Sequence, residues 1–170
     1  MTQNRNKEPQ IASNVFLADG SKVIGDVTIE EHSSVWYNSV IRGDLAKIHI
    51  GEYTNIQDLV AIHVNGNQPV TIEDHVTVGH SAILHGCTIR KGSLVGMGAI
   101  VLDGTIINEE TSIAAGTLVP GNKTYPPRVM LMGTPARVVR ELTETEILSM
   151  HETAERYARK AKDAKLADNA

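Results

Sequence analysis

An aliphatic residue recurs every six positions through most of this 170-residue chain. Every place in the series is Ile, Val or Leu, and the series is interrupted by two short insertions and one deletion. The positions two residues earlier hold small or β-branched side chains, and the intervening residues are mostly polar or glycine. The seventeen aliphatic positions are Leu17, Val23, Ile29, Val35, Ile41, Ile50, Ile56, Ile62, Ile72, Val78, Leu84, Ile89, Val95, Val101, Ile107, Ile113 and Val119.

A repeat of six residues is too short for a helix–turn–helix unit. It fits a short β-strand whose aliphatic residue and compact residue two places earlier point to the same side. Three such strands and three corners make one coil of a hexapeptide β-helix. Seventeen units therefore predict nearly six coils. The strands of an ordinary β-sandwich do not keep one hexad phase through seventeen units, so that fold is disfavoured.

The C-terminal part of the chain departs from the repeat. Prolines at 120, 126, 127 and 135 predict the end of regular pairing near Val119. Thr143 and Glu146 have the spacing of a capping box, and an apolar stripe follows at helical spacing. We therefore predict a mainly β protein with a polar tail over 1–10, a β-helix domain over 11–140 and a C-terminal helix over 143–168, packed along the outside of the β-helix.

Composition and charge restrict the partners and the cellular compartment that we expect for this chain. A formal net charge of −4 and a pI near 6.0 argue against a nucleic-acid partner or an anionic membrane surface. The first ten residues are polar and no long apolar run occurs, so we expect neither a signal peptide nor a membrane span. The single Cys87 excludes an intramolecular disulfide and fits a reducing compartment, so we expect a cytoplasmic protein.

Register within the repeat distinguishes three of the seven histidines. His63 follows the inward Ile62, and His85 follows the inward Leu84, which comes one full coil later. The two imidazoles should therefore stack at one corner, about 5 Å apart, which is the spacing of neighbouring strands. Four other histidines fit surface or hydrogen-bonded positions, namely His32, His49, His75 and His151.

His80 lies at a different corner, because it comes two residues after the inward Val78. Two edges of one prism face apart, so His80 cannot join the other pair within a single chain. If three prisms pack around a threefold axis, one edge of each meets a different edge of the next. Three imidazoles would then surround one ion and leave positions open, which is typical of a catalytic metal site.

Several short segments together resemble the signature of γ-class carbonic anhydrases and their close homologues. The resemblance extends over nearly the whole chain, including the terminal helix. The ordered set of Arg, Asp, Gln and His residues is more specific than the hexapeptide repeat, which many acyltransferases share. The segments are Arg42-Gly43-Asp44, Asn55-Ile56-Gln57-Asp58, His63 and the run GHSAILHGC over 79–87.

The resemblance implies a left-handed parallel β-helix that assembles as a homotrimer. It implies a zinc site at each subunit interface, with Fe²⁺ or Co²⁺ as other possible metals and with His63, His80 and His85 as ligands. A divalent ion held by neutral imidazoles lowers the pKa of bound water to about 7, so that hydroxide is available at neutral pH. The implied reaction is the reversible hydration of CO2 to bicarbonate by that metal-bound hydroxide.

The resemblance also implies roles for the residues around the ligands. Arg42, Asp44 and Asp58 match residues whose ion pairs hold the trimer together and shape the site. Gln57 matches the residue that orients the metal-bound hydroxide, and Asn55 matches a neighbour of the site. We further expect Arg42 to attract the bicarbonate anion.

This chain departs from the family prototype at two loops. The prototype has a longer acidic loop, with a glutamate that shuttles protons, where this chain has only the sequence LAK over 45–47. A second acidic residue is also missing, because the loop over 64–69 contains no carboxylate. Fast turnover needs a route for the proton, so weak hydration activity is the expectation.

Three alternatives stay open. A hexapeptide acyltransferase using acetyl-CoA would share the fold, and the segment MGTPARVVR over 132–140 resembles one that is common in those enzymes. A non-catalytic trimer would keep the metal only to stabilise its interface. A thioesterase acting on CoA esters is the third, although no sequence feature favours it.

Three further residues have simpler interpretations. Cys87 occupies an inward small-residue place, so we interpret it as a packing residue and not as a nucleophile. Trp36 and Tyr37 lie one coil below Gln57, at the same kind of corner, and are predicted to belong to the subunit contact.

Overall fold

The chain winds into a parallel β-solenoid of about seven turns, followed by one helix. The structure is a computed structural model and describes residues 7–168. Residues 1–6 of the predicted polar tail lie outside the described residues. Within residues 7–168 no helix is both long enough and apolar enough to cross a membrane.

Three faces make up the solenoid, with strands numbered in chain order. Face 1 contains β2 (Phe16–Leu17), β4 (Ser34–Val35), β6 (Asn55–Ile56), β9 (Thr77–Val78), β12 (Leu94–Val95), β15 (Ser112–Ile113) and β18 (Val129–Gly133). Face 2 contains the first parts of β3 (Lys22–Ile29) and β5 (Val40–Ile50), then β7 (Ala61–His63), β10 (Ile83–His85), β13 (Ile100–Val101) and β16 (Leu118–Val119). Face 3 contains β1 (Gln10–Ile11), the ends of β3 and β5, β8 (Val70–Ile72), β11 (Thr88–Ile89), β14 (Ile106–Ile107) and β17 (Thr124–Tyr125).

Three corners join the faces and position the candidate site. Corner 1 leads from face 1 to face 2, and corner 2 leads from face 2 to face 3. Corner 3 returns the chain to face 1 of the next turn. Each strand pairs in parallel with the strand one turn away, so residues of equal phase form columns along each corner.

The hexad series forms the core, as the sequence predicts. All its members from Ile29 to Val119 are buried. Leu17 is an exception, because its side chain is 41% exposed although it pairs in register with Val35. The reason is position: β2 is the last strand of its sheet, so no further turn covers Leu17. Its neighbour Phe16 is the buried residue there.

The compact inward positions carry hydroxyl groups that satisfy the corners. Ser33 donates to the carbonyl of Gly51 at 2.6 Å, and Ser39 donates to the carbonyl of Gln57 at the same distance. Thr54 donates to the carbonyl of Glu73 at 2.8 Å. A buried carbonyl without a partner would destabilise the turn, so these hydroxyls explain why small polar residues occupy a closed core.

Regular pairing continues beyond Val119, so the prediction that it ends there is wrong. β17 pairs in parallel with β14, and β18 pairs in parallel with β15. Pro120 and Pro126 lie between strands, where no ladder N–H is required, and their carbonyls accept bonds from Thr105 and Thr111. This accounts for about seven turns in place of nearly six. β18 then folds back on β19 (Ala136–Glu141) as an antiparallel pair.

The C-terminal helix α1 (Glu144–Asp168) begins at the predicted capping box. The carboxylate of Glu146 accepts from the backbone N–H of Thr143 at 2.9 Å, and the hydroxyl of Thr143 accepts from the N–H of Glu146 at 3.3 Å. The helix lies against face 1, where it contacts β2, β4, β6 and β9. Its buried side includes Ala154 and Ala161.

Two ring contacts fix the helix on the solenoid. Trp36 packs against Tyr157 of the helix with ring centroids 5.5 Å apart, and against Phe16 at 5.2 Å. Trp36 therefore packs against the helix, and the side chain of Tyr37 remains 47% exposed. That these two residues belong to a subunit contact stays a prediction. His151 packs over Gly92 at corner 3, and its Nε2 lies 3.1 Å from the carboxylate of Glu110.

Candidate metal site

His63 and His85 lie side by side at corner 2. They occupy directly paired positions of β7 and β10, so their backbones are held in register by the parallel ladder. The ring centroids are 5.1 Å apart, and Nδ1 of His63 lies 3.1 Å from Nε2 of His85. The structure thus brings together the pair that the repeat places one coil apart.

The spacing of these nitrogens fits a shared divalent cation. Two imidazole nitrogens on a tetrahedral zinc, each about 2.0–2.1 Å from the ion, are about 3.3 Å apart. The described residues contain no cluster of three or more His, Cys, Asp or Glu side chains that could hold a metal within one chain. Two histidines alone make an incomplete set, so a further ligand would have to come from another molecule.

Each of the predicted ligand histidines has an aspartate on one ring nitrogen. Asp44 lies 3.0 Å from Nε2 of His63, and Asp103 lies 2.5 Å from Nδ1 of His85. Asp58 lies 2.8 Å from Nδ1 of His80. In metal sites a carboxylate commonly accepts from the ring nitrogen that does not bind the ion, which orients the ring. The contacts leave one nitrogen of each ring for a ligand bond.

Asp44 joins the histidine pair to Arg42. Its carboxylate contacts both the guanidinium of Arg42 and the ring of His63, and its side chain is only 14% exposed. Burial by itself raises the pKa of Asp44, but the hydrogen bonds from His63 and Arg42 outweigh it and hold the pKa below its usual value. An ionised Asp44 therefore sits between the ligand pair and a cationic side chain.

Corner 1 carries the other predicted residues. His80 lies two residues beyond Val78, and Gln57 lies in the column one turn below. Gln57 is buried, and its amide donates to Asn55 at 3.1 Å. Asn55 in turn donates to the hydroxyl of Thr77 at 2.9 Å, so the Gln57 side chain is held by a short chain of hydrogen bonds.

The predicted residues thus fall into two groups within one chain. Corner 2 brings together His63, His85, Arg42 and Asp44. Corner 1 brings together His80, Gln57, Asn55 and Asp58. Face 2 separates the two groups, as expected if the complete site needs a second chain.

Sequence reasoning missed Asp103. The residue lies at corner 2, in register with Gly86 of the previous turn and directly after Leu102, which continues the His63–His85 column. A carboxylate beside that column was the available signal. Gly86 makes room for it: a Cβ there would lie 2.3 Å from Oδ1 of Asp103, and the backbone of Gly86 has φ +53°.

A groove of about 810 Å³ lies elsewhere, between the second half of α1 and corner 3. His32, Tyr53 and His75 line it, but their rings stack on one another with centroids 4.7 and 5.0 Å apart and do not converge on a point. We therefore interpret this ring column as structural.

Cys87 is also structural. Its side chain is buried in the core, and burial raises the pKa of the thiol to about 12. A thiol that stays protonated at neutral pH is a poor nucleophile, which agrees with its interpretation as a packing residue.

The fold is a hexapeptide-repeat β-solenoid, and two histidines pair at one of its corners. No protein-family model matches this chain. Among proteins of similar sequence, a Methanocaldococcus jannaschii protein provisionally assigned as a carbonic anhydrase is 51% identical over 149 residues, covering 88% of this chain and 94% of that protein. A carbonic anhydrase of Geobacillus kaustophilus is 48% identical over 156 residues, covering 92% and 86% of the two chains. These similarities show that the chain belongs to the γ-class carbonic anhydrase family.

Other relatives extend the comparison. The mitochondrial gamma carbonic anhydrase 2 of Arabidopsis thaliana is 43% identical, and this chain spans only 56% of its length. A solved Bacillus cereus structure, provisionally assigned as an acetyltransferase, superposes with a TM-score of 0.94 at 44% identity over 95% of this chain and 94% of that one. A hexapeptide transferase family protein from Anaplasma phagocytophilum superposes with a TM-score of 0.88 at 40% identity, covering 91% and 92%.

Proposed function

We propose that this protein is a metal-dependent carbonic anhydrase that reversibly hydrates CO2 to bicarbonate at the interfaces of a homotrimer. In the proposed site, zinc is held by His63 and His85 of one chain and by His80 of the next, with Fe²⁺ or Co²⁺ as alternative metals. The observation that carries the proposal is the facing nitrogens of His63 and His85, 3.1 Å apart, in a family whose named members include carbonic anhydrases.

The surface between the two corners supports the trimer. Face 2 separates His80 from the histidine pair, and its outward side chains include Val40 and Ile83, which are 39% and 41% exposed. Leu59 and Met97 at corner 1 are 60% and 58% exposed. Contiguous apolar surface of this kind is typical of a protein contact. A contact between corner 1 of one chain and corner 2 of the next is heterologous and closes into a ring at three copies.

The side chains at the two corners have complementary roles in the proposed reaction. When bound, a divalent cation acts as a Lewis acid that lowers the pKa of water to about 7 and makes hydroxide available at neutral pH. Gln57, fixed by Asn55, orients the reacting oxygen, and Arg42 attracts bicarbonate. In the trimer we expect Arg42 to bridge between its own Asp44 and Asp58 of the neighbouring chain.

Proton release is the expected weak step. Asp44 and Asp103 each already contact a ligand imidazole. The segment over 45–47 and the loop over 64–69 contain no carboxylate. We therefore propose that the proton leaves to buffer in solution, so that the rate rises with the concentration of a buffer such as imidazole.

The test compares the wild type with His80→Ala and with a matched control, His49→Ala, which removes a half-exposed histidine from face 3. We expect the wild type and His49→Ala to be trimers with about one metal per chain. His80→Ala should lose most of its metal and its CO2 hydration rate. Metal content, light scattering and stopped-flow hydration in concentrated buffer provide the measurements. Full metal in a folded His80→Ala trimer would refute the shared site.

The same experiment addresses the non-catalytic alternative. A hydration rate at background in the fully metal-loaded wild type, in concentrated buffer, would favour a metal that only stabilises the interface. The Bacillus cereus structure keeps an acyltransferase as the second candidate. A thermal shift with CoA, in protein that binds no metal, would favour that candidate. A cytoplasmic location also stays a prediction, resting on the single buried Cys87.

A further inference from the structure

His85 contacts Asp103, a residue that the sequence did not predict to belong to the site. Oδ1 of Asp103 lies 2.5 Å from Nδ1 of His85, one of the shortest contacts in the cluster. The two side chains are 31% and 35% exposed, so water can reach both, yet the carboxylate points at the ring. The Asp103 carboxylate therefore contacts Nδ1 of His85, the ring nitrogen that does not face His63.

We propose that Asp103 is a positioning residue that fixes the ring of His85 so that Nε2 is presented to the metal. The inference rests on the proposed function. A carboxylate on Nδ1 selects the tautomer in which Nδ1 carries the proton, and Nε2 then offers its lone pair. Nε2 is the nitrogen that faces Nδ1 of His63 at 3.1 Å, so the selected tautomer is the one that the shared ion needs.

The backbone of corner 2 holds Asp103 in place. The N–H of Asn122 donates to the carbonyl of Asp103 at 2.8 Å, and the N–H of Gly104 donates to the carbonyl of Gly86 at 2.7 Å. Gly86 provides the space for the carboxylate, because any side chain there would overlap Oδ1 of Asp103. Corner 2 is thus shaped so that the Asp103 carboxylate reaches the ring of His85.

Asp103 and Asp44 differ in how they are engaged. Asp44 is shared between His63 and Arg42. Over residues 7–168, His85 is the only hydrogen-bond or ion-pair partner of the Asp103 side chain. Removing the Asp103 carboxylate therefore releases one ligand ring and leaves the Arg42–Asp44 pair intact, which makes Asp103 the cleaner probe of ring orientation.

The experiment measures metal affinity in Asp103→Asn and Asp103→Ala trimers, with Asp74→Asn at corner 3 as the control. Asp74 accepts from the N–H of Glu52 at 3.0 Å and lies on a corner that carries none of the ligand histidines, so its substitution changes the same charge away from the site. Zn²⁺ dissociation constants come from competition with a chelator. Loss of such an outer carboxylate typically costs about 10–100-fold in metal affinity. We expect that range for Asp103→Ala, a smaller loss for Asp103→Asn, and wild-type affinity for Asp74→Asn.

Co²⁺ substitution supplies a readout that a purely structural role would not change. We expect the visible spectrum of Co²⁺ in Asp103→Ala to differ in band positions and intensity from that of the wild type. The metal-free variant should melt at the same temperature as the metal-free wild type, and the Co²⁺-loaded variant should remain a trimer. Gly86→Ala provides a second route, because it displaces the carboxylate without removing its charge, and it should weaken Zn²⁺ binding as well.

The outcomes separate this inference from the proposed function. Asp103→Ala with affinity within twofold of the wild type and an unchanged Co²⁺ spectrum would overturn the positioning role alone, provided that His80→Ala still loses metal. A wild-type trimer that binds no Zn²⁺ would overturn the proposed function and this inference with it. If Asp103→Ala does not fold, Asp103→Asn decides by the same two measurements.

Discussion

Substitution of Gly92 by alanine tests how the C-terminal helix is attached to the solenoid. Gly92 lies at corner 3 with φ +68°, and a Cβ there would lie 2.7 Å from Cε1 and 3.0 Å from Nε2 of His151. No Cβ occupies such a position, so the imidazole must move. In moving, it gives up its 3.1 Å contact with Glu110.

The magnitude follows from two contributions. A non-glycine residue in the left-handed region costs about 1–2 kcal/mol in the folded state. The lost contact between His151 and Glu110 costs about 0.5–1.5 kcal/mol, the usual net value of a hydrogen bond. The sum, less about 0.5 kcal/mol because alanine restricts the unfolded chain, is about 1–3 kcal/mol. For a chain of this size that lowers Tm by roughly 2–12 °C.

The control is Gly116→Ala. Gly116 has φ +69°, but a Cβ there would have no heavy atom within 4 Å beyond its chain neighbours, so only the backbone contribution applies. Thermal unfolding at one protein concentration compares the two variants, since Tm of an oligomer depends on concentration. In a His151→Ala background, Gly92→Ala should cost no more than Gly116→Ala. If Gly92→Ala in the wild-type background costs the same as Gly116→Ala, His151 does not anchor the helix and the reasoning is wrong.

Two further predictions concern titrating groups. Burial raises the pKa of the Cys87 thiol to about 12, so it should not react with a maleimide at pH 7 in the folded protein and should react at once in denaturant. Labelling at the same rate in both would contradict its burial. The hydrogen bonds from Arg140 and Thr143 lower the pKa of Glu146 from 4.5 to about 2. A carboxyl group whose pKa is lower in the folded than in the unfolded state stabilises the protein above pH 4.5. That contribution is lost as the pH falls through 2. Glu146→Gln should therefore be less stable than the wild type in denaturant titrations at pH 7, with the difference shrinking at pH 3 and vanishing below 2; a constant difference would show that ionisation is irrelevant.

The pairing of His63 with His85 could be predicted from sequence because the repeat has a fixed phase. A coil of three hexads places His85 opposite His63 whatever the loop between them does, and the parallel ladder confirms that register. The core from Ile29 to Val119 and the helix capped by Thr143 are predictable for the same reason, since each depends on local spacing.

Local pattern is insufficient where position in the whole solenoid matters. Leu17 has the right phase but lies in the terminal strand of its sheet, where no further described strand covers it. Trp36 packs against Tyr157 of a helix more than a hundred residues later, a contact that hexad spacing cannot indicate. Asp103 reaches His85 only because Gly86 leaves space between them, a fact of three-dimensional packing.

His63 and His85 are carried by strands and not by a loop, so the spacing of their ring nitrogens does not depend on the neighbouring loop. The spacing of the two rings is set by the backbone ladder between adjacent strands, while Asn65 and Gln68 pair to close the tip of the loop over 64–69 on itself. A side chain at Gly66 would meet nothing within 4 Å. The loop tip can therefore be lengthened or recharged without moving the nitrogens of His63 and His85. In the proposed site, metal affinity and the rate of proton release could then evolve separately, and a proton-relay residue could be added at this loop tip without changing the two histidines.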